Sequence, residues 1–144
     1  MSRQIFINLP VRDVQAATAF FTALGFEFNP MFASPDSACL IINDSAYAML
    51  LSHKHFADFT PKPIADPTAA TAALYALSAD SREAVDALAD AAVAAGGTNF
   101  REPQDMGFMY GRAFADLDGH VWEVVWMDPN AAAQGPESVA DATA

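Results

Sequence analysis

Cysteine and basic side chains are the scarcest chemistry in this chain. Cys39 is the only cysteine among 144 residues, so no disulfide can close within the chain, which fits a reducing compartment without requiring one. Lys and Arg number 7 against 18 Asp and Glu, a net charge of −11. So acidic a surface repels phosphate backbones and anionic lipid, which disfavours nucleic-acid and membrane partners and would suit a cationic ligand. No apolar run approaches the roughly 20 residues that a membrane-spanning helix needs. No basic-then-apolar leader opens the chain either, so a soluble, cytoplasmic protein is expected. Also missing are a phosphate-binding glycine loop, a dinucleotide fingerprint and a Ser-His-Asp constellation. What is present is hydrophobic. Residues of that class make up 53% against 17% charged, enough for one compact domain or two small halves sharing a core.

The densest information lies in Asp116-Leu117-Asp118-Gly119-His120-Val121-Trp122-Glu123-Val124-Val125-Trp126. Asp, Asp and Gly make a tight turn that feeds a Val- and Trp-rich strand. Strand side chains alternate, so Trp122, Val124 and Trp126 share one face while Val121, Glu123 and Val125 share the other. The Trp face calls for a covering helix. The Glu123 face, with the strand's only charge, calls for water or a ligand.

Periodicity then shows one pattern occurring twice. Ile5–Leu9 reads as a strand, Asp13 as a helix N-cap, Val14, Ala17, Phe21 and Leu24 as an apolar helical stripe, and Gly25 as its stop. Three strands follow, near Phe26–Phe32, Ala38–Ile42 and Ala46–Ser52, separated by turn signals. The second half repeats the order: strand Ala73–Ala79, a capping box of Asp80 and Glu83, the stripe Val85, Leu88, Ala92 and Ala95, a Gly96-Gly97 stop, and strands near Thr98–Arg101, Met109–Asp116 and His120–Met127. The expected fold class is α+β: two βαβββ modules, about 3–52 and 72–127, with curved mixed sheets around an apolar cleft. They form a single domain over 1–128. Residues 53–71, carrying Pro61, Pro63 and Pro67, read as an extended linker, and 129–144 as a flexible tail.

At this point the chain resembles the vicinal oxygen chelate superfamily, which includes glyoxalase I, bleomycin-resistance proteins and extradiol dioxygenases. The resemblance rests on Leu9-Pro10-Val11-Arg12-Asp13, on the helix end Phe20-Phe21-Thr22-Ala23-Leu24-Gly25-Phe26, and on the close Asp116–Glu123. Through Phe108-Met109-Tyr110-Gly111-Arg112 it looks most like bacterial proteins labelled predicted lactoylglutathione lyases. The resemblance implies one metal ligand on the first and last strand of each module. Those positions fall on Phe6, Met49, Leu74 and Glu123. Phe and Leu have no donor and a Met thioether suits only soft metals, so the resemblance combined with these residues implies no divalent metal cofactor. A Ni or Zn site remains the alternative.

Glu123 is the candidate catalytic residue, a partly desolvated carboxylate suited to act as general base or to pair with a ligand amine. Tyr110 and Arg112 sit two apart on one strand. They either bind a carboxylate or oxyanion beside Glu123 or lie in solvent at the sheet edge. Phe6, Met49 and Leu74 would line the cleft. Asn8, Tyr47 and Ser78 share their faces and are either neutral ligand contacts or ordinary half-buried polar groups. His53 and His55 could chelate a metal if strand-borne, but Lys54 and the linker argue for solvent. Cys39 reads as a buried, inert thiol. Two functions follow: a small-molecule binding protein like the bleomycin-resistance branch, or a glyoxalase I-like lyase acting on a thiol adduct of a reactive carbonyl. The lyase would need Arg112 or another group to stabilise an oxyanion in place of metal. The resemblance also implies a homodimer.

Overall fold

Two runs of alternating side chains, each interrupted by a single long helix, set the architecture. The structure is a computed structural model and describes residues 3–134; the expected flexibility of 135–144 lies outside the described residues. The chain divides into two compact units between Ala72 and Ala73.

In the first unit the order is β1 (Ile5–Val11), α1 (Val14–Ala23), β2 (Glu27–Phe28), a 3-10 turn (Pro30–Phe32), β3 (Ser37–Asn43), β4 (Ala46–Ser52) and α2 (His53–Ala57). The strands form one mixed sheet in the order β1-β4-β3-β2, with β1 parallel to β4 and the other pairs antiparallel. The Asp13 carboxylate caps α1 by accepting from the Ala16 amide at 3.0 Å, and Gly25 (φ +99°) supplies the left-handed residue that stops it. Val14, Ala17, Phe20 and Phe21 are buried, together with Leu40, Ala48 and Leu50 of the sheet. The second strand is far shorter than expected, because Asn29 caps the Pro30 turn and proline cannot continue the ladder. The linker likewise opens with helix rather than extended chain: the Ser52 hydroxyl accepts from the His55 amide at 3.1 Å and starts α2.

The second unit repeats the plan with β5 (Leu74–Ser78), α3 (Arg82–Ala94), β6 (Thr98–Asp105), β7 (Met109–Ala115), β8 (Val121–Met127) and α4 (Pro129–Gln134). Its sheet runs β5-β8-β7-β6, again with one parallel pair. These are the two βαβββ modules of an α+β fold. The α3 cap is Ser81 rather than Asp80, with the Ser81 hydroxyl 3.0 Å from the Ala84 amide, so Glu83 falls inside the first turn and the expected capping box does not form. The expected tail begins instead with α4, for proline suits a first helical turn and the Asp128 carboxylate accepts from the Asn130 amide at 2.9 Å.

The Trp face of β8 is indeed the covered one. Trp122, Val124 and Phe114 are fully buried, as are Val85, Ala89 and Ala92 of α3, and each large side chain so placed contributes about 1.5–3 kcal/mol. Asp116 anchors the turn that leads into β8. Its carboxylate accepts from the Asp118 and His120 amides at 3.0 Å and from the Trp122 indole at 3.1 Å, while burial pushes its pKa up.

Polar contacts fasten α3 at its outer edge. Tyr110 donates to Asp86 at 2.6 Å; Arg112 donates to Asp86 at 3.1 Å and to Asp90 at 2.8 Å. The Tyr110 hydroxyl first, and Arg112 second, hold the Asp86 carboxyl below its usual pKa. A carboxylate with a depressed folded-state pKa adds stability above the unfolded value, lost as pH falls through the folded one. Replacing Asp86→Asn should therefore lower Tm near neutral pH, and the gap to wild type should begin closing below about pH 4. Thermal melts across pH measure this; a constant gap down to about pH 2 would show that the charge contributes nothing.

Candidate functional site

Register assigns every expected site residue to a face. In the first sheet Phe6 pairs with Tyr47 and Asn8 with Met49, so the four share the face opposite to Leu9, Ala48 and Leu50. Phe6 and Tyr47 stack with ring centroids 4.9 Å apart and planes 12° from parallel. The Tyr47 hydroxyl is spent locally, donating to the Asp44 carbonyl at 3.0 Å. Cys39 pairs with Met49 and is buried; burial raises its pKa, in keeping with an inert thiol. His53 and His55 lie on α2, where residues two apart do not share a face. A groove of about 730 Å³ between α1 and the β2–β3 segment has no charged lining and holds none of the expected site residues.

In the second sheet Leu74, Ser78 and Glu123 share the face turned away from α3, since Ala76 pairs with Glu123 and the strand alternates about it. Tyr110 and Arg112 do not join them. They pair with Trp126 and Val124, on the α3 face, and their polar atoms are committed to Asp86 and Asp90. The expectation that Arg112 sets the charge state of Glu123 or holds an oxyanion beside it is corrected by this parity. Two residues apart is one face, but it is the other face.

The cation beside Glu123 is Arg101, whose guanidinium Nη2 donates to Glu123 Oε2. Its position depends on a bulge. Asn99 pairs with Phe114 and Arg101 with Ala113, two residues of β6 against one of β7. Without the extra residue, Phe100, Arg101 would fall opposite Arg112 on the helix face; the bulge turns it to the Glu123 face instead. Ala113 lies between Arg101 and Glu123 in the sheet. Neighbouring strands are about 4.8 Å apart, so the two long side chains must meet over the small Ala113. The side chains are 29% and 18% exposed, neither dry nor freely solvated. Arg101 Nε is buried and has no hydrogen-bond partner among the described residues, and an unpaired buried donor costs about 1–3 kcal/mol. A depression of about 400 Å³ runs along Asn99–Pro103. Sequence reasoning ended this strand at Arg101 and missed the pair; the available signal was Pro103, which within a strand marks an edge or a bulge.

The Glyoxalase/Bleomycin resistance protein/Dioxygenase superfamily model matches residues 3–124. The chain belongs to this superfamily. Among solved structures it is similar to a hypothetical protein from S. aureus, with 27% identity, a TM-score of 0.74, and 88% of this chain and 95% of that one covered. A glyoxalase/bleomycin resistance protein/dioxygenase family enzyme from Burkholderia phytofirmans is 22% identical, with a TM-score of 0.72 and coverage of 88% and 99%. A lactoylglutathione lyase from Agrobacterium tumefaciens is 17% identical, with a TM-score of 0.64 and coverage of 88% and 94%. The last two likenesses speak for the fold alone. No curated protein matches the chain.

The residues at the superfamily's ligand positions do not fit a divalent metal. Phe6 and Leu74 carry no donor, Met49 offers only a thioether, and an oxygen of Glu123 is taken by a guanidinium. Among the described residues no group of three His, Cys, Asp or Glu side chains is placed to hold an ion.

The half-buried pair should couple more strongly than a surface pair and less than a dry one, by about 1–2 kcal/mol. A double-mutant cycle of Arg101→Ala and Glu123→Ala, read by urea denaturation, measures it. Additive single effects would show that the two charges do not depend on each other.

Proposed function

We propose that this protein binds a small organic molecule on the Glu123 face of its second sheet, with Arg101 supplying the positive charge that a divalent metal supplies elsewhere in the superfamily. The Arg101–Glu123 ion pair carries this reading. A guanidinium neutralises the carboxylate and keeps hydrogen-bond donors to spare, but it offers no open coordination position and lowers no bound-water pKa. Around it, Leu74, Ala76, Val125 and Ala113 give apolar or small surface, the usual lining of a ligand site with few polar anchors. Binding without turnover is therefore favoured over metal-stabilised lyase chemistry. The reading extends to a soluble homodimer, supported by half-exposed Ile5, Phe6 and Leu74 on the edge strands β1 and β5 and by the lack of any membrane-length apolar helix among the described residues.

Elemental analysis of the purified protein, with thermal melts in Ni and Zn, tests the proposal. A metal at a hundred times its dissociation constant would add about 2.7 kcal/mol of stability, so unshifted melts and no turnover of a hemithioacetal are expected. Stoichiometric metal that is lost in Glu123→Ala, or Glu123-dependent turnover, would overturn it. Sedimentation should give twice the monomer mass.

A further inference from the structure

The ion pair uses only half of the Glu123 carboxylate. Oε2 accepts from Arg101 Nη2, whereas Oε1 has no hydrogen-bond partner among the described residues. Nor is Oε1 sealed from solvent. Among the described residues Arg101 Nε is the one buried side-chain atom left unpaired, and the Glu123 side chain is 18% exposed. Its neighbours offer no donor. Along β8, Glu123 lies between Val121 and Val125 on its face, and across the sheet Ala76 and Ala113 flank it. With Nη2 engaged and Nε buried, Arg101 serves as the counter-ion. A ligand covering this face strips water from Oε1, and an acceptor left bare loses its solvation without return. A molecule that brings its own donor restores the bond. A full charge on the ligand gains little here. The carboxylate is already paired, so a cation would give up its hydration over alanine and valine, and an anion would meet Oε1 with like charge.

We infer that the ligand of this face is an uncharged molecule with an apolar body and a hydroxyl or N–H group that donates to Glu123 Oε1. The inference rests on the binding role proposed for this face and names its ligand class. It departs from the cationic ligand that the overall charge of −11 suggests, because Arg101 already supplies the cation that Glu123 needs.

The test titrates the full chain with two pairs of compounds. Para-cresol is set against para-fluorotoluene, which has nearly the same outline without a donor, and benzyl alcohol against benzylamine, which is charged. Carbon NMR follows the Glu123 carboxyl, and nitrogen-proton NMR the backbone of β5–β8. The cresol should bind about tenfold or more tightly than the fluorotoluene and move the Glu123 carboxyl signal, and the alcohol should bind at least as well as the amine. The double variant Arg101→Met with Glu123→Leu removes both charges together, so neither is left stranded. Its melting behaviour should show a folded protein, and it should bind the cresol and the fluorotoluene alike. The comparison in the unaltered chain decides the matter whether or not that variant folds. Equal affinity for the first pair, an unmoved carboxyl signal, a cresol preference kept by the double variant, or tighter binding of the amine would each sink the donor assignment and leave the binding role standing. If none of the four compounds perturbs the face, both readings fall together.

Discussion

Each four-stranded sheet has two faces, and each unit has one long helix. That imbalance governs everything else in the molecule. α1 and α3 bury one side of their sheets, where the large apolar residues of β4, β7 and β8 collect, and the other side carries the expected site residues, Phe6, Asn8, Tyr47 and Met49 in the first unit and Leu74, Ser78 and Glu123 in the second. Strand alternation makes the division strict, because a one-residue slip would send Trp122 outward and Glu123 into the core. Several features hold that register. Asp116 ties the β7–β8 turn to the Trp122 indole, and the Asp86, Tyr110 and Arg112 contacts lock α3 to β7.

Much of this was legible beforehand because it depends on short-range chemistry. The strand from Ala46 to Ser52, the Asp13 cap, the glycine stops and the assignment of the Trp122 face to a helix all follow from local pattern. Face-sharing within a strand was equally readable, so Phe6 with Asn8, Tyr47 with Met49, and Leu74 with Ser78 fall together as expected. What alternation within one strand cannot supply is the phase between strands. Tyr110 and Arg112 do share a face, but only the pairing of Arg112 with Val124 says that it is the helix-covered one. Arg101 was hidden for a related reason: bulges reset the phase in mid-strand, and no periodic template carries through Arg101-Glu102-Pro103.

On the proposed reading, the Arg101–Glu123 contact stands where a metal-dependent member of the superfamily would hold its ion. A carboxylate on the last strand needs a positive partner if it is to sit half-buried. A bound cation provides one solution and a reachable arginine another. The second needs only a bulge, a long side chain and an alanine low enough to pass over. A guanidinium presents fixed N–H directions rather than exchangeable coordination sites, which is why the binding role is the one proposed.

The edge position of β6 has an evolutionary consequence. A border strand is laddered on one flank alone, so an added or lost residue there is absorbed by a single neighbour and never reaches the packed interior around Phe114, Trp122 and Val85. One codon's insertion can thus exchange which side chains look toward Glu123, converting the polarity of the surface opposite that carboxylate while the buried core stays intact. Diversification of ligand preference would then travel through strand length as readily as through substitution.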